Sequence, residues 1–396
     1  MMIEGFIGRV PVYDRNLELF AYELRPCSTD ISNAYKRDEL IKQAWESVRL
    51  EQITGGRKGI INLPAVMLPE ISHLPWPKDQ IIVTLTENDL SAIPTDKLAT
   101  LAKEGLMIAI NSNRFDPGLV SQHNPAKFWC LNADEDLSEL ELFAKSLHQQ
   151  GFKLLARNIE TREQYDALFE AQVDYFQGRY FERPRMIHGT QIPANRLAIL
   201  QLIARLQDPD ITIDEVESLV HQDMTLSYKL LRMINAAFFG LPNKVESIRR
   251  AVVFLGLQRI KHWAIVIVVN AIDYKPRELL ISAVVRARTC EQMAASLKRR
   301  DLEQCYIAGL FSLLDAIMDA PIEEILKHLN LAQDINDALL YGTGPIGEIL
   351  QSTLALEQGL CNKIPVRDLD LQSAMHIYLE TIAWAEEIRK QLQQAA

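Results

Sequence analysis

The sequence predicts two domains of different fold class: a parallel β/α sheet or barrel in the first half and an all-α domain in the second. The chain has 396 residues, which is too long for one ordinary hydrophobic core. Up to about residue 185, short β-rich runs alternate with helical patterns, as parallel strands joined by helices do. From about Asn195 onward the strand patterns stop, and apolar residues recur at three- and four-residue spacing.

Eight β-rich runs predict the strands of the first half. In chain order they are FIGRVPVY, LELFAYEL, GIINL, QIIVTL, LMIAI, KFWCLN, FKLLA and DYFQG. Only DRN separates the first two, so these are expected to form an antiparallel hairpin. The stretch DEDLSELELFAKSLHQQG begins with acids and stops at Gly151, which predicts a helix.

Successive helical patterns fill the second half. They are RLAILQLIARLQ, TIDEVESLVHQD, TLSYKLLRMINAAFF, SIRRAVVFLGLQRIKHWAIVIVVNAI, ELLISAVVRARTCEQMAASLKR, LEQCYIAGLFSLLDAIM and PIEEILKHL. The apolar run WAIVIVVNAI is about half as long as a membrane span, so a buried helix is expected. The domain boundary is expected in FERPRMIHGTQIPANR, which gives domains at residues 1–187 and 188–396.

Composition limits the function classes. The net charge of −10 disfavours a general nucleic-acid binder, because phosphate binding needs clustered Lys and Arg. The N-terminus MMIEGFIGRVPVYDRN lacks the pattern of a signal peptide. The five cysteines are widely spaced, without a CxxC pair, so we expect neither a zinc site nor a disulfide framework, and a reduced cytoplasmic setting.

Three segments of the first half together resemble the EAL family of cyclic-di-GMP phosphodiesterases. They are GRVPVYDRNLELFAYELRP, INLP and ARNIETREQYDALFEAQVDYFQGRYFERP. The resemblance implies a modified (β/α)8 barrel of the TIM type. It also implies two-metal hydrolysis of a phosphodiester, in which divalent ions held by carboxylates and an amide clamp the attacking and leaving oxygens.

The resemblance assigns each family site residue to a position in this chain. The family's residue type is kept at Glu23, Asn62, Glu87, Glu160 and Gln177. The family's phosphate-binding arginine falls on Cys27, and the leucine of its signature falls on Arg25.

The other positions have lost the family's charged groups. A metal-binding glutamate, the paired aspartates, the catalytic lysine, a nearby aspartate and a further glutamate fall, in that order, on Thr84, Asn111 and Ser112, Cys130, Asn132 and Arg157. One carboxylate and one amide beside a guanidinium form a poor site for a divalent ion. We therefore expect no catalytic residues, no metal and no cofactor.

Three side chains carry sharper expectations. Arg157 is expected to pair with Glu23 in place of the metal; the alternative is that Arg157 points into solvent. The loss of the arginine at Cys27 leaves a phosphate without its bidentate partner, which disfavours binding of cyclic di-GMP. Cys130 is interpreted as a packed thiol rather than a nucleophile.

The string DMTLSYKLLRMINAAFFGLPNKVESIRRAVVFLGLQRIKHWAIV is similar to the HDOD domain, a helical relative of the HD metal phosphohydrolases that is regarded as a regulatory module. The chain contains no His-Asp dipeptide, and Ser312 and Leu313 stand in its place. Asp315 and Asp319 are interpreted as a cap or solvated edge, and His221 and His262 as structural. The segment GTGPIG follows helices rather than a strand, so a helix–helix loop is expected.

Together the two resemblances predict a non-catalytic, cytoplasmic signalling adaptor linked to cyclic di-GMP, with an output such as motility or biofilm formation. Protein partners are expected, without nucleic acid or membrane; a homodimer stays open. The alternatives are a receptor that binds cyclic di-GMP or another nucleotide without turnover, and a metal-dependent phosphodiesterase with a rebuilt site.

Overall fold

The computed structural model describes residues 6–27, 49–63, 67, 68, 71, 76–112, 126–184, 192, 194–235, 245–272, 275–361, 364–366 and 369–395. The chain separates into two compact units, Met1–Glu182 with Ser352–Leu379 and Arg183–Gln351 with Glu380–Ala396. The first contains a closed barrel and the second is helical, so the predicted fold classes are confirmed. The boundary between residues 187 and 188 stays a prediction, because the units are interleaved in the chain.

All eight predicted strands form the barrel, in the order β1 to β8. Their bounds are β1 Phe6–Asp14, β2 Leu19–Cys27, β3 Lys58–Asn62, β4 Ile81–Thr86, β5 Met107–Asn111, β6 Phe128–Asn132, β7 Lys153–Arg157 and β8 Tyr175–Phe176. Strand β1 pairs antiparallel with β2 and with β8, whereas the pairs from β2 to β8 are parallel. The predicted hairpin therefore forms, and it is what makes this barrel irregular.

Alternation along the strands separates two apolar layers. Ile60 in β3 and Ile82 in β4 belong to a small cluster inside the barrel. Their neighbours Ile61 and Val83 belong to the larger cluster outside it, between strands and helices. Because side chains alternate with a period of two, positions an even number of residues from Ile60 or Ile82 also face inward.

Short helices follow the strands of the barrel unit. They are α1 Leu50–Thr54, α2 Glu87–Ala92, α3 Thr95–Lys103, α4 Leu137–Gln149 and α5 Arg162–Glu170, with 3-10 turns at Lys78–Gln80 and Arg179–Glu182. The carboxylate of Asp136 caps α4 by accepting from the backbone N–H groups of Ser138 and Glu139. Gly151 follows the helix with φ 86°, as predicted.

The segment Ser352–Leu379 packs against the barrel, although it lies far along the chain. A Cβ on Gly8 in β1 would lie 2.5 Å from the backbone N of Gly359. Only glycine permits this approach of two backbones. Leu379 packs against the outer apolar layer. Residues of the C-terminal part of the chain therefore complete the barrel unit.

Twelve helices among the described residues follow the barrel. They are α6 Ala194–Leu206, α7 Ile213–His221, α8 Met224–Ile234, α9 Ile248–Leu255, α10 Leu257–Asn270, α11 Arg277–Ser296, α12 Leu302–Phe311, α13 Leu314–Met318, α14 Ile322–Leu326, α15 Gln333–Tyr341, α16 Gly344–Glu357 and α17 Leu371–Ala395. The pattern from SIRRAVV to VVNAI is divided into α9 and α10 at Gly256, whose φ of 85° a helix cannot accommodate.

The most apolar run forms helix α10, in which every residue from Ile260 to Val269 is buried, so the buried-helix prediction is confirmed. Within the described residues, no helix is both long enough and apolar enough to cross a membrane. The GTGPIG segment lies between helices as expected: Gly342 ends α15, and Gly344 begins α16.

The expectation about disulfides is wrong for one cysteine. Cys361 is disulfide-bonded, whereas Cys130, Cys290 and Cys305 are free and buried. Spacing along the chain does not reveal which distant cysteines the fold brings together, and Cys361 lies in the segment that returns to the barrel unit.

We predict that Asp136→Ala will speed amide hydrogen exchange in residues 137–149. The substitution removes the cap from two backbone N–H groups, at a cost of about 1 kcal/mol. Mass spectrometry of the corresponding peptide measures this locally. The matched control is Glu135→Ala, which removes a neighbouring exposed carboxylate; equal acceleration in both variants would contradict the capping role.

Candidate functional site

The candidate site lies at the carboxyl ends of the barrel strands, where parallel barrels carry their active sites. Asn62 is two residues beyond Ile60 and pairs in register with Thr84 of β4. Asn132 at the end of β6 pairs with Arg157 at the end of β7. Strand alternation turns these side chains inward, so the aligned positions converge on one end of the barrel.

Glu23 is the centre of this end of the barrel. Its carboxylate is buried, with 3% of the residue exposed. Its Oε2 accepts hydrogen bonds from Arg25 Nη2 at 2.7 Å and Nε at 3.0 Å, and from Gln177 Nε2 at 2.9 Å. Its Oε1 accepts from Asn62 Nδ2 at 3.1 Å. Both oxygens are therefore used by protein donors.

Arg157, at the end of β7, reaches the same carboxylate. Its Nη2 lies 3.6 Å from Glu23 Oε1, and its Nη1 donates to Asn62 Oδ1 at 3.4 Å. The guanidinium is buried, with 9% of Arg157 exposed. The predicted Glu23–Arg157 ion pair is confirmed, and the solvent-facing alternative is wrong.

Opposing effects set the pKa of Glu23. Burial raises it, whereas the positive charges of Arg157 and Arg25 and the hydrogen bonds from Arg25 and Asn62 lower it, with a net result of about 2. Burial lowers the pKa of Arg157, but its interactions with Cys130 and Glu23 give a net increase. Both groups are therefore charged at neutral pH, as an ion pair requires.

Arg25 and Gln177 are both aligned site positions, but their hydrogen bonds to Glu23 were not predicted from the sequence. Arg25 is the closest cation to Glu23, and Gln177 donates to it from 154 residues further along the chain. The signal for Arg25 was its position two residues from Glu23 on the same strand, which places both on one face. No local signal predicts the contact of Gln177 with Glu23, because the closure of the barrel brings these two residues together.

Further site positions form a second polar group. Ser112 Oγ donates to Glu87 Oε1, and Trp129 Nε1 donates to the Ser112 carbonyl at 2.6 Å. Thr84 Oγ1 donates to the Ile61 carbonyl at 3.0 Å and to the Asn62 side-chain oxygen. Thr84 therefore orients the amide that contacts Glu23.

The remaining aligned positions lie around the rim. Asn132 Oδ1 accepts from Asn158 Nδ2 at 2.9 Å. The backbone N–H of Glu160 donates to Gln164 Oε1 at 2.8 Å, just before α5. Asn111 ends β5 beside Cys130 in register. Cys27 ends β2, and its side chain lies outside the described part of the structure, as do Asn113, Gly240 and Pro242.

Cys130 is part of the apolar cluster inside the barrel. It is 1% exposed, and burial raises the pKa of its thiol above the ordinary value. A protonated, enclosed thiol is a poor nucleophile, which supports its interpretation as a packing residue.

The donor set at the barrel end does not fit a divalent cation. Hard cations need several oxygen ligands that include free carboxylates, and both oxygens of Glu23 already accept from protein donors. Arg157 adds positive charge at the same place. Within the described residues, no group of three His, Cys, Asp or Glu side chains is arranged to hold a metal ion.

In the helical unit, the acidic and histidine residues considered in the sequence as possible HD-type ligands contact other groups of the protein. Asp319 is ion-paired with Arg196 at 3.0 Å and with Lys275. Burial raises the pKa of Asp315 to about 6. The side chain of Asp319 is 7% exposed, so the solvated-edge interpretation of this residue is wrong. Asp319 occupies the C-cap position of α13, which agrees with the interpretation as a cap. His221 Nδ1 bonds the Glu217 carbonyl at 2.8 Å, which fits its structural interpretation.

Comparison with known proteins supports the predicted tandem. Residues 192–322 match the family model of the HDOD domain, so the helical unit contains an HDOD domain. The chain is 26% identical to "Cyclic di-GMP phosphodiesterase CdgJ" of Vibrio cholerae over 98% of this chain and 94% of that protein. It is 25% identical to the uncharacterized protein YuxH of Bacillus subtilis over 97% and 98% of the two chains.

The solved structures similar to this chain include EAL domains. A structure of an EAL domain protein from Listeria monocytogenes EGD-e gives a TM-score of 0.37 at 16% identity, covering 45% of this chain and 87% of that chain. The FimX EAL domain from Pseudomonas aeruginosa, bound to c-di-GMP, gives 0.37 at 16%, with 45% and 89% covered. A likeness of this size carries no conclusion about function.

We predict that Glu23→Gln will lower the free energy of unfolding at pH 7 by about 3 kcal/mol or more, since it leaves a buried guanidinium without its counter-charge. The folded pKa of Glu23 is about 2 against an ordinary 4.5. The carboxylate therefore stabilises the fold above about pH 4.5, and this contribution is lost as the pH falls toward 2.

Urea unfolding at several pH values measures both effects. The difference between the wild type and Glu23→Gln is expected to narrow below about pH 4.5. Glu18→Gln, at an exposed position in the turn before β2, controls for loss of one negative charge and should change little. A difference that is small at pH 7, or constant with pH, would contradict the role of the ion pair.

We predict that iodoacetamide will leave Cys130 unmodified in the native protein at pH 8, because the thiol is enclosed and its pKa is raised. The same residue should react after unfolding in urea. Peptide mass spectrometry identifies which cysteines are alkylated. Rapid alkylation of Cys130 in the native protein would contradict its interpretation as a packing residue.

Proposed function

We propose that this chain is a non-catalytic signalling protein of a cyclic-di-GMP pathway, in which the barrel does not hydrolyse the dinucleotide and both domains act through contacts with partner proteins. The observation that carries the proposal is the guanidinium of Arg157, buried 3.6 Å from Glu23 Oε1. It occupies the end of the barrel where the resemblance places divalent ions.

The chemistry of phosphodiester hydrolysis gives this observation its weight. Two-metal hydrolysis requires ions that bind both the attacking and the leaving oxygen. A fixed guanidinium neutralises the remaining carboxylate but cannot activate a water molecule as a metal does, because it has no open coordination position and does not lose its proton. Thr84 and Asn111, whose side chains are neutral, supply no base at the positions where the resemblance places acids.

The full-length similarity to the Vibrio protein supports the pathway. That relative is named as a cyclic-di-GMP phosphodiesterase. A related function of this chain makes cyclic di-GMP the signal to which it is linked. At 26% identity, the residues at the barrel end of this chain are stronger evidence about hydrolysis than the name of a relative. The HDOD domain at residues 192–322 supports a regulatory role, with partner proteins in the cytoplasm and output such as motility or biofilm formation.

A second candidate is a receptor that binds cyclic di-GMP without turnover. Arg25 favours it, since its side chain is 38% exposed at the barrel end and could contact a phosphate. Against it, Arg25 already donates two hydrogen bonds to Glu23, and the family's phosphate-binding arginine corresponds to Cys27. A phosphodiesterase with a rebuilt site is the third candidate, and it requires a metal ion.

We predict that the purified chain will produce no linear dinucleotide from cyclic di-GMP with Mg²⁺ or Mn²⁺, since the carboxylates needed to hold the ions are replaced. Chromatographic detection of product and calorimetric titration of the same samples test all three candidates. If the samples give no product and no heat of binding, the result supports the adaptor. Metal-dependent product would overturn the proposal.

Heat without product would favour the receptor, and two variants then locate the binding. Arg25→Ala removes the exposed guanidinium at the barrel end, whereas Arg162→Ala removes an exposed guanidinium from α5. A receptor site at the barrel end requires the first variant to weaken binding by about tenfold or more and the second to leave it unchanged.

A further inference from the structure

The helical unit contains a cavity of about 330 Å³ that is separate from the barrel site. Helices α10, α11, α12 and α17 contribute to its lining. The residues that give it chemical character are Arg259, His262, Trp263, Arg288, Tyr306 and Trp384. Aromatic rings and guanidinium groups together are the side chains that bind planar, negatively charged molecules.

Aromatic rings form the walls of this cavity. The imidazole of His262 stacks on the ring of Tyr306, with centroids 4.0 Å apart and an angle of 11°. The rings of Trp263 and Trp384 lie 5.9 Å apart. Tyr306 is buried and Trp384 is half-buried, so the indole presents ring surface on which a flat heterocycle can stack.

Charge at the cavity favours an anion. The guanidinium of Arg288 lies 5.7 Å from the centroid of the Trp384 ring, and its Nη1 donates to Glu291 Oε2 at 2.5 Å. Arg259 is exposed and forms no ion pair with any described residue. Two guanidinium groups against one carboxylate leave an excess positive charge, and Arg259 is free to take a bidentate anion.

An unsatisfied polar atom points to a ligand independently. His262 is 9% exposed, and its Nε2 has no hydrogen-bond partner among the described residues. Burial, with Lys261 alongside, lowers the pKa of His262 to about 3, so the ring is neutral. A buried nitrogen without a partner is unfavourable, and a ligand with a polar edge would supply the missing hydrogen bond.

We propose that this cavity binds a purine mononucleotide, with the base stacked on Trp384, a polar edge of the base bonded to His262 Nε2 and the phosphate held by Arg259 and Arg288. The volume decides the size of the ligand. A cavity of about 330 Å³ lies at the small end of the range of about 300–1,000 Å³ for ligand sites, which suits one nucleotide rather than a dinucleotide. This proposal does not depend on the function assigned to the barrel.

Calorimetric titration of the full chain with GMP, AMP and inorganic phosphate, at constant ionic strength, tests the proposal. At least one nucleotide is expected to bind about tenfold or more tightly than phosphate, because stacking of a base contributes to its affinity alone. Arg259→Ala and Trp384→Ala should each weaken nucleotide binding by about tenfold. His262→Phe keeps a ring but removes the nitrogen, and should weaken it about threefold to tenfold.

Arg300→Ala is the matched control. Arg300 is also exposed and carries the same charge, but it does not line the cavity, so its removal should leave the affinity unchanged. Circular dichroism checks that each variant is folded. Absence of heat with both nucleotides, equal affinity for phosphate and nucleotides, or equal weakening by Arg259→Ala and Arg300→Ala would each overturn the proposal.

Discussion

The end of the barrel depends on how one buried carboxylate is neutralised. Glu23 is withdrawn from water at the carboxyl end of β2, and an isolated charge there would be very costly. Four side chains from four different strands or their ends satisfy it: Arg25, Asn62, Arg157 and Gln177. Because the four come from separate places around the barrel, the network also fixes the register in which the strands close.

The same network balances charge at the barrel end with side chains of the protein alone. A site built for cations contains carboxylates that repel one another until metal binds. Here the side chains of Thr84 and Asn111 are neutral, and Arg157 supplies an internal counter-charge to Glu23. The charge of Glu23 is therefore neutralised within the protein.

The strands of the barrel and the central ion pair could be predicted from the sequence, each for a physical reason. The strands could be predicted because buried strands consist of apolar runs that are visible locally in the sequence. The Glu23–Arg157 pair was predicted from the positions that the EAL resemblance assigns, which lie on β2 and β7, strands that are not neighbours in the barrel. The contribution of Gln177 depends on barrel closure, and the disulfide at Cys361 depends on the return of a distant segment. Neither leaves a local pattern. The division of one apolar pattern at Gly256 was missed because its helical periodicity continues through the break.

The return of Ser352–Leu379 to the barrel unit has a consequence for the order in which the protein forms during synthesis. The first 182 residues leave the ribosome long before the segment that packs beside Gly8. The contacts of this segment with the barrel can therefore form only after the HDOD region has been translated. Contacts between such distant parts of a chain form late and slowly, so the last packing step of the barrel unit follows the synthesis of most of the chain.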